Sequence, residues 1–473
     1  MRDDPVINSP VSVKGIGVRH GQILLQFLFY IIVFGIEISL SSTLSAMLVT
    51  DKKFENTPIS TVSQMMCSYM FGFVITELFG AVLCKRYGFK WPMVLLMIII
   101  SAVTLNLPTL TDEYGAHGII ACRAVQGLCI GLLFSMPAEV ISRWVPIKER
   151  TMLGTTVYAS GLLGEALALY AGGYLSGTRL NWTFVYTQLG YLAIIWVVLM
   201  AIFGADSPEQ YQRKISGSEL DYIVHNRGNV TIKKKMRIPW RKILTSMPFW
   251  AIVVAQIGAG WILFVLTVNI PQYMAYNYMV PMTQNTIVVV NLITWVLSFS
   301  IAGIAQLLIN EGRTTIEQSR KLFNTLGSCI PAFFFILLGL VTQGNQYAGM
   351  AIWVTISVTS VGTICGSKLN SNDITTNFAP VVYGIATWIS LVFNMITLTI
   401  LTMNYNLDDW NVILIFSALV AILTNLFYVK FGSGEEQEWN LYEDLEDEEI
   451  DLSKSTSRAS VDEGKYLLYV RKQ

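Results

Sequence analysis

The sequence predicts an all-α integral membrane protein with twelve transmembrane helices in two six-helix halves. Three observations carry the prediction. Of 473 residues, 53% are hydrophobic and only 14% charged, with a mean hydropathy of +0.52; a soluble chain carries about a quarter charged residues. The apolar residues gather into about twelve runs, each close to the roughly 20 residues that cross the hydrocarbon of a bilayer. The longest polar interruption, Asp206 to Met247, leaves six runs on either side.

In order, the runs lie near 22–49, 61–84, 91–110, 117–144, 152–176 and 182–204, then near 249–270, 283–309, 321–341, 346–366, 379–402 and 410–430. The domain plan that follows has an N-terminal segment at 1–21, a six-helix half at 22–204, a central loop at 205–248, a second half at 249–431 and a tail at 432–473. The first run is too long for the core of a signal peptide and lacks a small-residue cleavage site after it, so it is expected to stay as a span. Lys and Arg gather on one side of the predicted spans, in Arg2, Lys14 and Arg19, in Lys85, Arg86 and Lys90, and most densely in the central loop. The other side receives only Lys52, Lys53 and Arg179. By the positive-inside rule both termini are cytoplasmic. The tail runs into the acidic stretch EDLEDEEID. With no periodic apolar face it is expected to be disordered.

Formal net charge is zero, and no basic stripe is present, which argues against nucleic acid as a partner. All six cysteines stand within or beside apolar runs, the placement of small packing residues and not of a disulfide framework. His20, His117 and His225 lie far apart, so neither a histidine metal site nor a bound cofactor is expected. No nucleophile–base pair or phosphate-cradling glycine loop points to an enzyme. Oligomeric state leaves no mark in the sequence.

The stretch Cys122–Arg150, CRAVQGLCIGLLFSMPAEVISRWVPIKER, concentrates the functional signal. It is apolar and helix-length, yet carries Arg123 inside it, and an ionisable residue there is costly unless it faces a cavity or a partner. Gly127 and Gly131, four apart, let a second helix approach closely. Arg123 has two readings: a cation that receives a carboxylate or phosphate, or a structural arginine satisfied by backbone carbonyls. Glu37, in FGIEISLS, lies at a depth within about 6 Å of it, counted at 1.5 Å per residue. A Glu37–Arg123 pair in at least one conformation is therefore expected, either static or switched by an arriving anion or proton. Glu165, in GLLGEALALYAGG, and Glu77, in FVITELFG, are two further intramembrane carboxylates and candidates for carrying a coupled proton.

Five blocks then resemble the animal anion cotransporter family, which comprises the type I sodium–phosphate cotransporters, sialin and the vesicular glutamate transporters. They are GAVLCKRYGFK after the second run, RAVQGL…W-P…ER in the fourth, PWRKILTSMPFWAIVVAQ at 239–256, NSNDITTNFA at 370–379 and FGSGEEQEWN at 431–440. The resemblance covers Gln22 to Asn440 and implies the major facilitator fold, two halves related by an axis along the membrane normal. It also implies secondary transport of a small organic anion or inorganic phosphate, coupled to sodium or protons, in a plasma, vesicle or lysosomal membrane. Arg123 is carried over as the substrate cation, with Ser371 and Phe264 as pathway positions. The departures are specific. This chain has Glu37 where the family has an arginine, Met66 and Ser371 where it has histidines, Ile130 where it has a glutamate and Phe264 where it has a tyrosine. They leave open a carrier of a non-anionic solute, and a member that has lost transport and serves as a sensor.

Overall fold

The computed structural model describes residues 15–50, 54, 57–175, 181–211, 214–230, 237–279, 284–340, 345–404 and 410–441. Among them twelve helices are long and apolar enough to cross a membrane. Spans one to six are Val18–Leu48, Ile59–Tyr87, Lys90–Tyr114, Ala116–Trp144, Ile147–Tyr174 and Thr183–Phe203. Spans seven to twelve are Met247–Tyr278, Gln284–Asn310, Ile316–Leu340, Gln346–Ile374, Ala379–Thr397 and Trp410–Phe431. Helices satisfy every main-chain N–H and C=O internally, as hydrocarbon requires. Their outer faces carry exposed apolar side chains such as Ile75, Phe79, Leu95 and Leu423, a surface suited to lipid. One core gathers around Tyr30, Ile36, Met97 and Trp196 and reaches Leu369 and Tyr383 of the second half, and another lies around Trp261, Phe335, Trp353 and Leu414. Spans five and eight, and spans two and eleven, pack the halves together.

The Gly127 and Gly131 spacing predicts a close helix neighbour, and that neighbour is span two, which lies backbone to backbone with span four. A Cβ on Gly127 would overlap the carbonyl oxygen of Tyr69, and one on Gly72 that of Ala124. The obstacle is main chain, which cannot rotate aside.

Three spans are interrupted, and each break has a chemical cause. Pro137 lacks an N–H, and span four turns at Phe134–Ser135; the Tyr30 hydroxyl donates to the Phe134 carbonyl at 3.3 Å. Span seven contains a π-helical turn at Val265–Asn269, just before Pro271. Span ten contains another at Ile364–Lys368, where Gly366 takes the non-helical φ −85°, ψ −106°. Such turns inside helices gather at functional sites.

Span ten runs on to Ile374, eight residues past the end at 366 that hydropathy predicts. Residues Asn370–Asp373 are therefore buried helix and not a polar turn. At this end, which also carries the helix Gly217–Asn226 of the central connector, Asp373 binds two arginines. Arg320 Nε of span nine lies 2.6 Å from Oδ2, and Arg150 Nη1 of span five 3.3 Å from Oδ1. Arg320 also donates to the Thr151 hydroxyl at 3.1 Å and to the Cys365 carbonyl at 2.7 Å. Asn372 donates to the Ala138 carbonyl and the Ser142 hydroxyl, both at 2.7 Å. These bonds latch the two halves at the connector end. Near it, Lys85 pairs with the buried Glu139 at 2.7 Å, while Arg86 lies over the ring of Tyr87.

The tail is ordered further than its composition predicts. Asn440 is fully buried, its Oδ1 accepting from Thr376 N at 3.1 Å, Asn377 N at 2.9 Å and the Thr375 hydroxyl at 2.6 Å. Trp439 packs on Phe378. Residues 432–441 thus dock over the turn between spans ten and eleven because that turn's donors need acceptors. The acidic stretch beyond lies outside the described residues.

Two outcomes are expected. Gly127→Leu lowers stability by more than about 3 kcal/mol, read as thermal unfolding in detergent. Asp373→Asn leaves two arginines facing a neutral amide and weakens the latch by about 3–5 kcal/mol. Its signature is faster alkylation of buried Cys365 in a chain whose exposed Cys67 and Cys329 are changed to serine.

Candidate functional site

Arg123 enters the bundle from span four and is almost wholly buried. Its Nη1 donates to the Ile36 carbonyl at 2.7 Å and to Gln126 Oε1 at 3.3 Å, and its Nη2 to the Glu37 carbonyl at 2.6 Å. The guanidinium lies 4.7 Å over the ring of Tyr69. Gln126 is itself held by the Thr104 hydroxyl at 2.9 Å. Nε has no partner.

The expected Glu37–Arg123 ion pair is not formed in this conformation. Arg123 binds the main chain at Glu37, and among the described residues no ion pair joins the two side chains. Two successive carbonyls suit the planar fork of a guanidinium, and they, not the Glu37 carboxylate, take its terminal nitrogens. Glu37 is half-buried and within electrostatic reach of Arg123, Glu165 and Tyr69. Glu165 of span five, also half-buried, accepts from Asn291 Nδ2 of span eight at 3.1 Å. That bond crosses from one half to the other. Glu77 of span two is fully buried, with neither carboxylate oxygen hydrogen-bonded.

The structure does not bring Phe264 and Ser371 to these groups. Phe264 packs on Trp261 with ring centroids 5.6 Å apart. Trp261 and Tyr273 are packing residues too, donating to the Ser417 hydroxyl at 3.0 Å and the Leu338 carbonyl at 2.6 Å. Ser371 is fully buried, and its hydroxyl donates to the Lys368 carbonyl of its own helix at 2.9 Å. It belongs to the helical extension beside the latch, because span ten continues past it.

Lys368 is the interior charge that sequence reasoning misses. Ending span ten at 366 makes it a cytoplasmic loop charge. The structure holds its ammonium 4.6 Å from the ring centroid of Tyr158 and 5.6 Å from that of Tyr383. Those rings stack at 5.4 Å, and Tyr30 packs on Tyr158 at 5.8 Å. The signal that would find it is the continued helical character of Leu369–Ile374 after the glycine break. Tyr30 and Glu37 are two helical turns apart on span one, so the Lys368 and Arg123 ends of the interior are separated by about 10 Å along it.

Because Arg123 serves the main chain, Arg123→Ala is expected to cost at least about 2 kcal/mol through orphaned carbonyls. Glu37→Gln costs less, and because the Glu37 carboxylate lies within electrostatic reach of Arg123 the double variant departs from additivity by about 0.5 kcal/mol or more. Thermal unfolding of the three variants checks this; an additive cycle would show that the two charges do not interact.

Known proteins place this architecture. The sequence pattern of the Major Facilitator Superfamily matches residues 21–396. Human sialin is 28% identical over 399 residues, covering 83% of this chain and 79% of sialin. A Drosophila ananassae protein named for inorganic phosphate cotransport is 27% identical over 418 residues, 85% of each chain. Vesicular glutamate transporter 1 of Xenopus laevis is 25% identical over 412 residues, covering 85% of this chain and 70% of that one. Among solved structures the proton:xylose symporter XylE superposes with a TM-score of 0.66 at 15% identity, covering 88% of this chain and 97% of its own. With twelve spans in two latched halves and charges held between them, this chain belongs to the Major Facilitator Superfamily and is a membrane transporter related to sialin, the vesicular glutamate transporters and their phosphate-cotransporter kin.

Proposed function

We propose that the protein moves a small organic anion or inorganic phosphate by alternating access, the two halves rocking about the interior charges. The observation that carries this reading is a pair of interior cations, Arg123 in the first half and Lys368 in the second. Among the described residues neither is in an ion pair. An interior cation without a partner ion is costly, and an anionic solute supplies the missing charge. The relatives named for phosphate and glutamate support the same class.

Coupling to a proton or a sodium ion belongs to the proposal. Glu165 and Glu77 are the acids placed to take part, Glu165 most directly because its bond to Asn291 joins the halves. The membrane is a plasma, vesicle or lysosomal one, with both termini cytoplasmic.

A second reading is a carrier of a non-anionic solute. It rests on the three interior carboxylates, Glu37, Glu77 and Glu165, which outnumber the two cations.

Uptake of labelled phosphate, glutamate and uncharged or cationic solutes into proteoliposomes, with and without proton and sodium gradients, decides between them. Anion flux supports the first reading and flux of only the other solutes the second. Absence of any flux favours a sensor. Glu165→Gln is expected to retain anion uptake while losing its dependence on pH; a pH profile identical to that of the parent removes Glu165 from coupling.

A further inference from the structure

Within this interior the two cations are not equivalent. Arg123 has committed both terminal nitrogens to main-chain carbonyls and to Gln126, and it ties span four to span one. Lys368 has committed none of its three donors: no hydrogen bond or ion pair from its ammonium is present among the described residues, and only the faces of Tyr158 and Tyr383 hold it. Ring faces attract a cation without consuming its N–H groups.

The surroundings of Lys368 are also unsatisfied. The Tyr158 hydroxyl has no hydrogen-bond partner, nor does either carboxylate oxygen of Glu77. Glu77 is fully buried and within electrostatic reach of Lys368, Tyr30 and Tyr383. The Thr387 hydroxyl beside it already donates to the Tyr383 carbonyl at 2.7 Å. The Ser135 hydroxyl, also without a partner, lies against Gly384 one residue from Tyr383. Buried polar groups are nearly always hydrogen-bonded. Here orphaned groups of Glu77 and Tyr158, from spans two and five, stand beside an uncommitted ammonium from span ten. They lie on the seam between the halves, and Lys368 stands five residues before the latch residue Asp373.

We propose that Lys368, and not Arg123, receives the anionic group of the transported solute, in a seam pocket completed by Tyr158 and Tyr383 from opposite halves. This rests on the anion reading above. The ammonium supplies the charge and three donors, the tyrosine hydroxyls supply directional bonds, and Glu77 is the opposite pole that keeps the empty pocket electrically balanced. Since Tyr158 and Lys368 belong to different halves, rocking takes the pocket apart and frees the anion. Arg123 acts as a clamp on the main chain of span one and sets the position of that helix.

The test is uptake of labelled inorganic phosphate and glutamate into proteoliposomes by the full chain, Lys368→Gln and Lys368→Arg. For whichever anion the parent carries, Lys368→Gln is expected to raise KM about tenfold or more, with a smaller effect on kcat, and Lys368→Arg to stay within about threefold. If the parent carries anions and Lys368→Gln keeps its KM, the assignment to Lys368 falls while the anion reading stands. If the parent carries only uncharged or cationic solutes, both fall. A second measurement on the unaltered chain covers misfolding of the variants. An amine-reactive reagent labels Lys368, as mapped by mass spectrometry, and the transported anion protects it. Labelling unaffected by the anion, or no labelling in either condition, overturns the proposal.

Discussion

Asp373 stands between two guanidinium groups, and the closed end of the molecule depends on it. A carboxylate and two arginines taken out of water are costly unless geometry and hydrogen bonds compensate each charge. Here Arg320, Arg150, Thr151 and the Cys365 carbonyl complete the set, drawing together spans five, nine and ten. Three of the four groups lie at helix ends or at a helical break, where free carbonyls and hydroxyls are available. Asn440 and the docked segment around it satisfy the adjoining turn, so the C-terminal residues extend the same closure.

The interior obeys the same economy of charge with a different result. Arg123 is compensated by carbonyl dipoles and an aromatic face, which makes it a structural fixture of spans one and four. Lys368 has aromatic faces alone, and Glu77 has no hydrogen bond. The Arg123 end keeps two orphaned groups, Arg123 Nε and the Tyr69 hydroxyl, while the Lys368 end leaves both Glu77 carboxylate oxygens and the Tyr158 and Tyr383 hydroxyls without a hydrogen bond. A transporter needs such an imbalance, since a site fully satisfied by its own protein has no reason to accept a solute. The weak point coincides with the π-helical turn of span ten, whose distortion at Gly366 precedes Lys368 by two residues.

Much of the site was legible in the chain, and the misses share a cause. Hydropathy finds the twelve spans because each is a local property of roughly 20 residues. The Gly127 and Gly131 spacing foretells a close helix contact on that face of span four, since no other residue admits a backbone at that distance; that the partner is span two comes from the fold. Arg123, Glu77 and Glu165 stand out as charges within apolar runs. The Glu37–Arg123 pair is not formed in this conformation because the guanidinium takes two main-chain carbonyls of span one, a competition that depth along a helix does not register. Lys368 and Ser371 were misplaced because SKLNSND is polar enough to end a span by composition. It is buried by protein and not by lipid, so its polarity is met by Ala138, Ser142 and two arginines that lie far away in sequence.

The sequence by itself determined that the chain is a bundle of twelve membrane helices in two halves with charges inside, because insertion in lipid depends on local apolarity. Tertiary structure alone decided which charge meets which partner. That choice rests on helix rotation, on breaks at Pro137 and Gly366, and on side chains brought together from opposite halves, none of which hydropathy records.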